Sequence, residues 1–257
     1  MHIGPWDIAL IVAVSALATV LAYLYHPRWK ALTLNLPVPF TLASLALGKP
    51  IGATNVMGAM ALLLFAHGVR LLHCKVRVPI VPAIILGDLT YCAIGWAAAA
   101  VVKETEAAFW VAAILALALG AGFWIAFPHR EEPGHRTPLP VHIKLPIIVG
   151  VVAILVLIKN SLRGFFTMFP MVSTVAAYEA RKSLWAISRQ MPVLLLTMVP
   201  MMIVAHLSFQ RVGLGRSLAL GWVVFLAIFI PLTRFTWSRD VARINARQKE
   251  SELAQEA

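Results

Sequence analysis

The sequence predicts an all-α protein that crosses a lipid bilayer several times. Its 257 residues are 60% apolar and 13% charged, whereas soluble domains usually carry about a quarter charged residues. The mean hydropathy is +0.83. The apolar residues form runs long enough to span a bilayer, which takes about 20 residues of helix. Together these observations favour a polytopic membrane protein over a soluble domain.

Apolar runs and the polar breaks between them predict nine transmembrane helices. The first run, 7–25, is too long for the apolar core of a cleaved signal peptide, so we expect it to be retained as a span. A segment with several prolines, 129–142, has the composition of a linker, and a polar tail occupies 237–257. The predicted spans are 7–25, 31–48, 52–73, 79–101, 107–128, 143–158, 164–180, 190–209 and 217–236.

Lys and Arg are distributed unevenly between the loops that these nine spans define. Loops on the side of the C-terminus carry 16 of the 22 basic residues, and loops on the other side carry 6. Because basic loops usually face the cytoplasm, we expect the N-terminus outside and the C-terminus in the cytoplasm. The same bias explains the net charge of +11. We expect no nucleic-acid binding, since the chain has no compact basic domain.

The two halves of the chain resemble each other when the sequence is shifted by 133 positions. Eight residues are then identical over about 45 positions without a gap. This predicts a first four-helix repeat at 1–101, a linking helix and loop at 102–142, a second repeat at 143–236 and a tail at 237–257. The best-marked pairs are Pro37 with Pro170, Thr41 with Thr174, Lys49 with Lys182, and His73 with His206.

An odd number of crossings separates the two copies, so the second copy enters the membrane from the opposite side. Inverted repeats of this kind are found in many secondary transporters. The alternative is that a duplication simply built a larger helical bundle.

Prolines interrupt the second and seventh spans at matching positions. A proline inside a span frees a backbone carbonyl that must find another partner in lipid. Paired, broken spans indicate a binding site near the middle of the membrane. In the alternative interpretation each proline only kinks a packing helix, and Ser and Thr bond their own backbone. The candidate substrate-binding residues are Asn35, Pro37, Thr41, Thr167, Pro170, Ser173 and Thr174.

Asp88, near the middle of the fourth span, is the strongest single candidate for ion or proton coupling. Ionisable groups inside a span are costly and usually face protein or water. His67 and Arg70 lie three residues apart on one face of the third span and complete the candidate coupling set. The alternative is a structural pair between Asp88 and one of these two residues. Glu179, at the end of the seventh span, is expected to be solvated.

The second half contains the segment Gly164-Phe-Phe-Thr-Met-Phe169-Pro170, a short span after it, and a later span with Pro192 and Pro200. In these features it resembles the GlpM family of small bacterial inner-membrane proteins with about four helices. The first half resembles the family through Leu36-Pro37 and Thr41. The chain then looks like a tandem, fused form of the four-helix unit. The resemblance implies a bacterial inner membrane, but it implies no substrate and no catalytic residue.

No phosphate-binding glycine loop, nucleophile elbow or metal-binding motif occurs in the sequence. We therefore expect no enzyme activity, no catalytic residue, no metal and no cofactor. The leading hypothesis is a secondary transporter or exporter of a small solute. One alternative is a non-catalytic subunit or scaffold of a larger complex, and another is an integral-membrane enzyme acting on a lipid-linked substrate. Expected partners are the bilayer, an unknown small solute, and a second copy or another membrane protein.

Overall fold

A computed structural model describes residues 4–127, 145–146, 148–150, 152–153, 156 and 159–256 of the chain. Every regular element within these residues is helical, and none of them forms a strand. The all-α prediction is therefore confirmed for the described part of the chain. The residues described between 145 and 156 are helical as well.

The helices vary widely in length. Four have 19 to 22 residues, five (one of them a 3-10 helix) have ten residues or fewer, and one continues to the end of the described chain. The elements are α1 (Pro5–Tyr23), α2 (Pro27–Leu34), α3 (Val38–Leu47), α4 (Ala53–Cys74), α5 (Ile80–Val101), α6 (Glu106–Ala126), α7 (Lys159–Leu162), a 3-10 helix (Arg163–Met168), α8 (Met171–Glu179) and α9 (Leu184–Glu256).

Five helical stretches are long and apolar enough to cross a bilayer, which indicates a membrane-embedded protein. They are α1, α4, α5, α6 and the part of α9 from Leu184 to Ser238. That last stretch has 55 residues, far more than the roughly 20 that one crossing requires. Gly213 interrupts it with a φ of 76°, a value that glycine adopts more readily than any other residue.

The predicted second and seventh spans, 31–48 and 164–180, are not continuous helices. The first of them is divided into α2 and α3, and the second into the 3-10 helix and α8. Span 143–158 lies largely outside the described residues. Spans 190–209 and 217–236 both lie in α9, on either side of Gly213. The prediction of nine spans is therefore not confirmed.

The two breaks follow from the local sequence. Pro37 and Pro39 have no N–H group, so they cannot continue the hydrogen-bond ladder of α2, and α3 begins after Pro37. In the second half, Phe169 precedes a proline and has an extended backbone, with φ −56° and ψ 138°. A residue before proline is disfavoured in the α conformation. Each proline therefore ends one helical segment and starts the next.

α4 occupies the centre of the molecule and packs against α5, α6, α9 and the 3-10 helix. A small residue in α4 allows the 3-10 helix to approach closely. A Cβ atom at Gly58 would lie 3.2 Å from the Cα of Phe165 in the 3-10 helix. α1 packs against both α3 and α8. Elements of the two predicted repeats, 1–101 and 143–236, therefore interleave.

Large apolar side chains are exposed on the outer faces of the long helices. Val12 of α1, Trp96 of α5 and Ile114 of α6 have exposed fractions of 63%, 68% and 64%. In a soluble protein such a surface would favour aggregation. On a membrane-embedded protein it is the surface in contact with lipid, because lipid tails are as apolar as these side chains.

Candidate functional site

The two short helices α3 and α8 begin with the same local geometry. Pro37 is the residue before α3, and Pro170 is the residue before α8. The hydroxyl of Thr41 donates to the Pro37 carbonyl over 2.7 Å, and the hydroxyl of Thr174 donates to the Pro170 carbonyl over 2.8 Å. Four of the predicted substrate-binding residues thus form two similar helix starts.

Each of these threonines also contacts another helix. Trp222 Nε1 of α9 donates to Thr41 Oγ1 over 2.8 Å. Thr174 Oγ1 donates to Asp88 of α5, at 3.1 and 3.2 Å from its two carboxylate oxygens. The bond to the threonine's own helix, considered above as an alternative to a binding role, is therefore present at both positions. It coexists with a contact to a distant helix.

A cavity of about 40 Å³ lies between the two breaks. Four of the seven predicted substrate-binding residues line it, namely Asn35, Pro37, Thr167 and Ser173. Thr41, Pro170 and Thr174 are not among its lining residues. The remaining walls are mostly apolar and come from α3, α4, the 3-10 helix, α8 and α9. They include Phe40, Leu62, Met168, Phe169, Val172, Leu194 and Met198.

Asn35 is the most unusual polar residue of this cavity. Its exposed fraction is 0%, and neither its Oδ1 nor its Nδ2 has a hydrogen-bond partner among the described residues. Leaving a buried donor or acceptor unpaired costs about 1–3 kcal/mol. An amide retained at this cost, on the wall of a cavity, indicates a position that meets a polar ligand or water.

A polar pair separates this cavity from a larger one. Asn55 Nδ2 donates to Thr167 Oγ1 over 2.9 Å, and the Thr167 hydroxyl donates to the Gly164 carbonyl over 2.7 Å. Asn55 Oδ1 in turn accepts a bond from the Gly52 amide over 2.8 Å. Thr167 lines the small cavity and Asn55 lines the larger one. Asn55 was not predicted as a site residue, although a polar residue near the start of an apolar span can indicate one.

The larger cavity has a volume of about 440 Å³ and is called the vestibule here. It lies where α4 and α6 begin and where the 3-10 helix starts, and its lining carries both acidic and basic side chains. Glu104 accepts hydrogen bonds from the amide and the hydroxyl of Thr54. The charged or titratable residues of the lining are Lys49, Glu104, Glu106, Arg163 and His206.

The His206 side chain connects α9 to residues of the vestibule wall. Its Nδ1 lies 2.7 Å from the Ile51 carbonyl, its Nε2 lies 3.0 Å from a Glu106 carboxylate oxygen, and its ring stacks on Phe109 at 3.9 Å between centroids. The sequence analysis paired His206 with His73 only as a repeat marker. His73 has a different environment, because its Nδ1 lies 2.9 Å from the Val78 carbonyl five residues away.

The three predicted coupling residues do not form one cluster. Asp88 is joined to Thr174, as described above, and not to His67 or Arg70. His67 is buried between Phe123 and Phe127, with ring centroids 5.2 and 4.8 Å away. The Arg70 guanidinium lies 4.6 Å from the centroid of a Trp185 ring. Asp88 therefore lies beside α8, whereas His67 and Arg70 lie among aromatic side chains.

Lysine ammonium groups lie at the C-terminal ends of both short helices. Lys159 Nζ donates to both carboxylate oxygens of Asp7, at 2.5 and 2.6 Å, and to the Ala46 carbonyl of α3 at 3.4 Å. Lys30 Nζ donates to the Glu179 carbonyl of α8 at 3.4 Å. Cations near a helix C-terminus are favourable because the carbonyls there carry partial negative charge.

The expectation that Glu179 is solvated is wrong. Its exposed fraction is 2%, and that of Lys30 is 1%. The prediction treated Glu179 as the end of a spanning helix that reaches water. α8 instead ends inside the protein, where α1 and α2 pack against it.

The described residues contain no group of three or more His, Cys, Asp or Glu side chains that could hold a metal ion. Cys74 and Cys92 are free thiols. The chemistry of the cavities thus rests on amides, hydroxyls, helix ends and the charged rim of the vestibule.

The chain was compared with protein-family models, with curated proteins and with solved structures. None of these comparisons found a match. The resemblance to the GlpM family therefore stays a prediction, and the functional argument depends on the geometry of the site.

Proposed function

We propose that this protein is a secondary transporter or exporter of a small solute, which binds between α3 and α8. The observation that carries the proposal is the convergence of two proline-started helices on one small cavity lined by Asn35, a buried amide without a hydrogen-bond partner among the described residues. Transporter sites are commonly formed by discontinuous helices near the middle of the membrane. The proposal includes no enzyme activity.

The access route on one side supports this proposal. The vestibule of about 440 Å³ leads towards the small cavity, and the Asn55–Thr167 bond stands between them. One side-chain hydrogen bond contributes only about 0.5–1.5 kcal/mol, so its opening is within the range of ordinary fluctuations. On the other side, Arg70, Phe127 and Trp185 pack into an aromatic cluster. In the described conformation the protein is therefore more open on the side of the vestibule than on the side of the aromatic cluster.

An inverted repeat is part of the proposal. The matched helix starts at Pro37 and Pro170 support it, as do the matched bonds of Thr41 and Thr174. The C-terminal ends of α3 and α8 support it further, because each receives a lysine from the other half of the chain. Alternating access would then arise from one half rocking against the other around the shared cavity.

Asp88 is the proposed coupling group. The Thr174 hydroxyl has one hydrogen, and both the Pro170 carbonyl and the Asp88 carboxylate lie within hydrogen-bond distance of it. A proton on Asp88 would remove this competition, since Asp88 could then donate to Thr174 while Thr174 donates to Pro170. Protonation of Asp88 would in this way act on the first turn of α8, beside the solute.

We further propose a bacterial inner membrane, with the N-terminus outside and the C-terminus in the cytoplasm. The distribution of Lys and Arg along the sequence supports this orientation. The vestibule would then open to the outside, because its rim holds Lys49 and the segment around Glu104.

Flux through reconstituted protein tests the proposal. The full chain is placed in lipid vesicles, and the efflux of radiolabelled chloride, rubidium and glycerol is compared with that from protein-free vesicles. We expect protein-dependent efflux of at least one of these probes, lowered in the Asp88→Asn variant. Efflux equal to that of empty vesicles for all three probes, at pH values on both sides of neutrality, would overturn the proposal in favour of a scaffold.

A further inference from the structure

We infer that the small cavity between α3 and α8 binds a small monovalent anion. The inference rests on the site of the proposed function and names the chemistry of its ligand. It concerns binding alone, so it can be tested without a transport measurement.

The electrostatics of the two helix starts point to negative charge. A helix N-terminus carries the equivalent of about half a positive elementary charge, because its first N–H groups lack intrahelical partners. Here two such ends, from helices of 10 and 9 residues, meet at one cavity. No Asp or Glu is among the lining residues. Without an anion, the two ends repel each other in a medium of low dielectric constant.

Residues of the first turn of each helix line the cavity, although Pro37, Pro39 and Pro170 carry no N–H group. Phe40 follows Pro39 in α3, and Val172 and Ser173 follow Met171 in α8; all three line the cavity. Backbone amides at these positions have no carbonyl partner within their own helix. Groups of this kind form anion sites in many proteins.

Asn35 gives the independent observation that a ligand belongs here. Within the described part of the chain, its buried amide has no partner for its two N–H groups or its oxygen, and the side chain lines the cavity. An N–H group donating to an anion makes a charge-assisted bond, which is stronger than a bond between neutral groups. The ligand would thus satisfy the donors of Asn35 and both helix ends at once.

The size and walls of the cavity select the kind of anion. A water molecule needs about 10–15 Å³ of such volume, so a cavity of about 40 Å³ holds at most a few water-sized groups. Its lining contains no Lys, Arg or His, and burying a doubly charged ion without a cation is very costly. Leu62, Leu194 and Met198 make the walls poorly hydrating. Chloride, bromide and nitrate fit these conditions, and sugars or nucleotides do not.

The vestibule does not exclude an anion. Two basic side chains, Lys49 and Arg163, and two acidic ones, Glu104 and Glu106, line it together with His206. The two basic groups offset the charge of the two carboxylates, so the selection of an anion is assigned to the small cavity and not to the vestibule.

Anion binding is measured on the purified full chain in detergent, by calorimetry and by the thermal unfolding midpoint. Sodium gluconate is replaced stepwise by sodium chloride, bromide or nitrate at constant ionic strength. We expect a saturable rise in the midpoint for the small anions relative to gluconate. Equal midpoints in gluconate and in all three small-anion salts would overturn the inference and leave a cavity that holds only water.

Variants of Asn35 test whether the ligand is in this cavity. Asn35→Leu should raise the dissociation constant for chloride about tenfold or more, because one hydrogen bond to a charged group is lost. Asn35→Asp should abolish binding, since a carboxylate repels an anion. Ser15→Ala is the matched control, because the Ser15 hydroxyl is also buried without a partner but is not part of the cavity. Unchanged chloride affinity in both Asn35 variants would overturn the inference.

If the Asn35 variants do not fold, Ser173→Ala replaces them, with weaker chloride binding as the expected result and unchanged binding as the contrary one. The binding test and the flux test can fail independently of each other. Saturable chloride binding without flux of any probe contradicts the transporter and supports the site. Flux of rubidium or glycerol without selective anion binding contradicts the anion site and supports the transporter.

Discussion

The break before α3 and the break before α8 share a backbone design but differ in the groups that surround them. In both, a proline starts the helix and a threonine four residues later bonds its carbonyl. At the first break the threonine receives a hydrogen bond from the neutral indole of Trp222. At the second break the threonine contacts the carboxylate of Asp88. Asn35, at the first break, has no partner, whereas Thr167, at the second, is held by Asn55.

This difference distinguishes the role of the shared backbone from the role of the side-chain partners. The shared backbone design ends one helix and starts another inside the protein, which brings helix ends to a buried cavity. The differing partners determine what each break can do. A break anchored by an indole is chemically fixed, whereas a break beside a carboxylate can respond to a proton. We therefore expect changes to the contact of Thr174 with Asp88 at the second break to alter transport, and changes to the contact of Thr41 with Trp222 at the first break to alter mainly stability.

The largest effect is expected from Asp88→Asn. The asparagine keeps an oxygen that can accept from Thr174 but cannot take up a proton, so the protein should fold while flux falls to the level of empty vesicles. Efflux from reconstituted vesicles measures this, with detergent-solubilised yield as the check on folding. Thr90→Val, on the same helix, is the control, because its exposed hydroxyl bonds only the Leu86 carbonyl among the described residues. Normal flux in Asp88→Asn would remove Asp88 from the mechanism.

Lys159→Met should cause the largest loss of stability. The change leaves Asp7, whose side chain is 3% exposed, without its cation. Removing one partner of a buried ion pair costs about 3–5 kcal/mol. Unfolding in mixed micelles of mild and denaturing detergent measures the loss. Lys49→Met, at an exposed position, should stay within about 0.5 kcal/mol of the parent protein.

The double variant Asp7→Leu with Lys159→Met sharpens this test. It removes both charges, so much of the stability lost in Lys159→Met should return. A double variant as unstable as Lys159→Met alone would mean that the other contacts, from Lys159 to the Ala46 carbonyl and from the Gly4 amide to Asp7, outweigh the ion pair.

Gly164→Ala should destabilise the second break. A Cβ atom at this position would lie 2.6 Å from the Asn55 backbone nitrogen and 2.3 Å from the Thr54 hydroxyl oxygen. Overpacking of this kind costs about 1–3 kcal/mol. The control is Gly122→Ala in α6, where no atom lies within 4 Å of the added group and alanine favours the helix by roughly 0.5–1 kcal/mol. Equal thermal midpoints for the two variants would contradict the close packing at Gly164.

Trp222→Phe should have the smallest effect. It removes the hydrogen bond to Thr41 but keeps an aromatic ring, so the expected loss is about 0.5–1.5 kcal/mol. Flux should remain within roughly twofold of the parent, since neither Trp222 nor Thr41 is proposed to take up a proton. A loss of flux as large as that of Asp88→Asn would show that the two breaks are equivalent and would end the distinction drawn here.

Much of the fold could be predicted from the sequence because long apolar runs leave few alternatives. The predicted spans 7–25, 52–73, 79–101 and 107–128 lie close to α1, α4, α5 and α6. Spans 31–48 and 164–180 were expected to be interrupted by their prolines, and each is divided into two helical segments. Hydropathy measures whether a segment is apolar, and a broken, buried segment is as apolar as a spanning helix.

The candidate site could be predicted only in part. Asn35, Pro37, Thr167 and Ser173 were expected to share one site, and they line one cavity. The partners of Thr167 and Thr41 could not be predicted, because Asn55 and Trp222 meet them across more than 100 positions of sequence. Glu179 was misjudged because the sequence does not reveal that α8 ends within the protein.

The most direct test of the account is the membrane sidedness of the ends of α3 and α8. After replacement of Cys74 and Cys92, single cysteines are introduced at Lys49, which follows α3, and at Lys182, which follows α8. Both are probed with a membrane-impermeant thiol reagent. Lys103 serves as a reference, since Glu104 beside it bonds Thr54 at the vestibule. We predict that Lys49 and Lys103 label from outside and that Lys182 labels only from the cytoplasm. Labelling of Lys49 and Lys182 from the same side would contradict the inverted arrangement and the transport mechanism built on it.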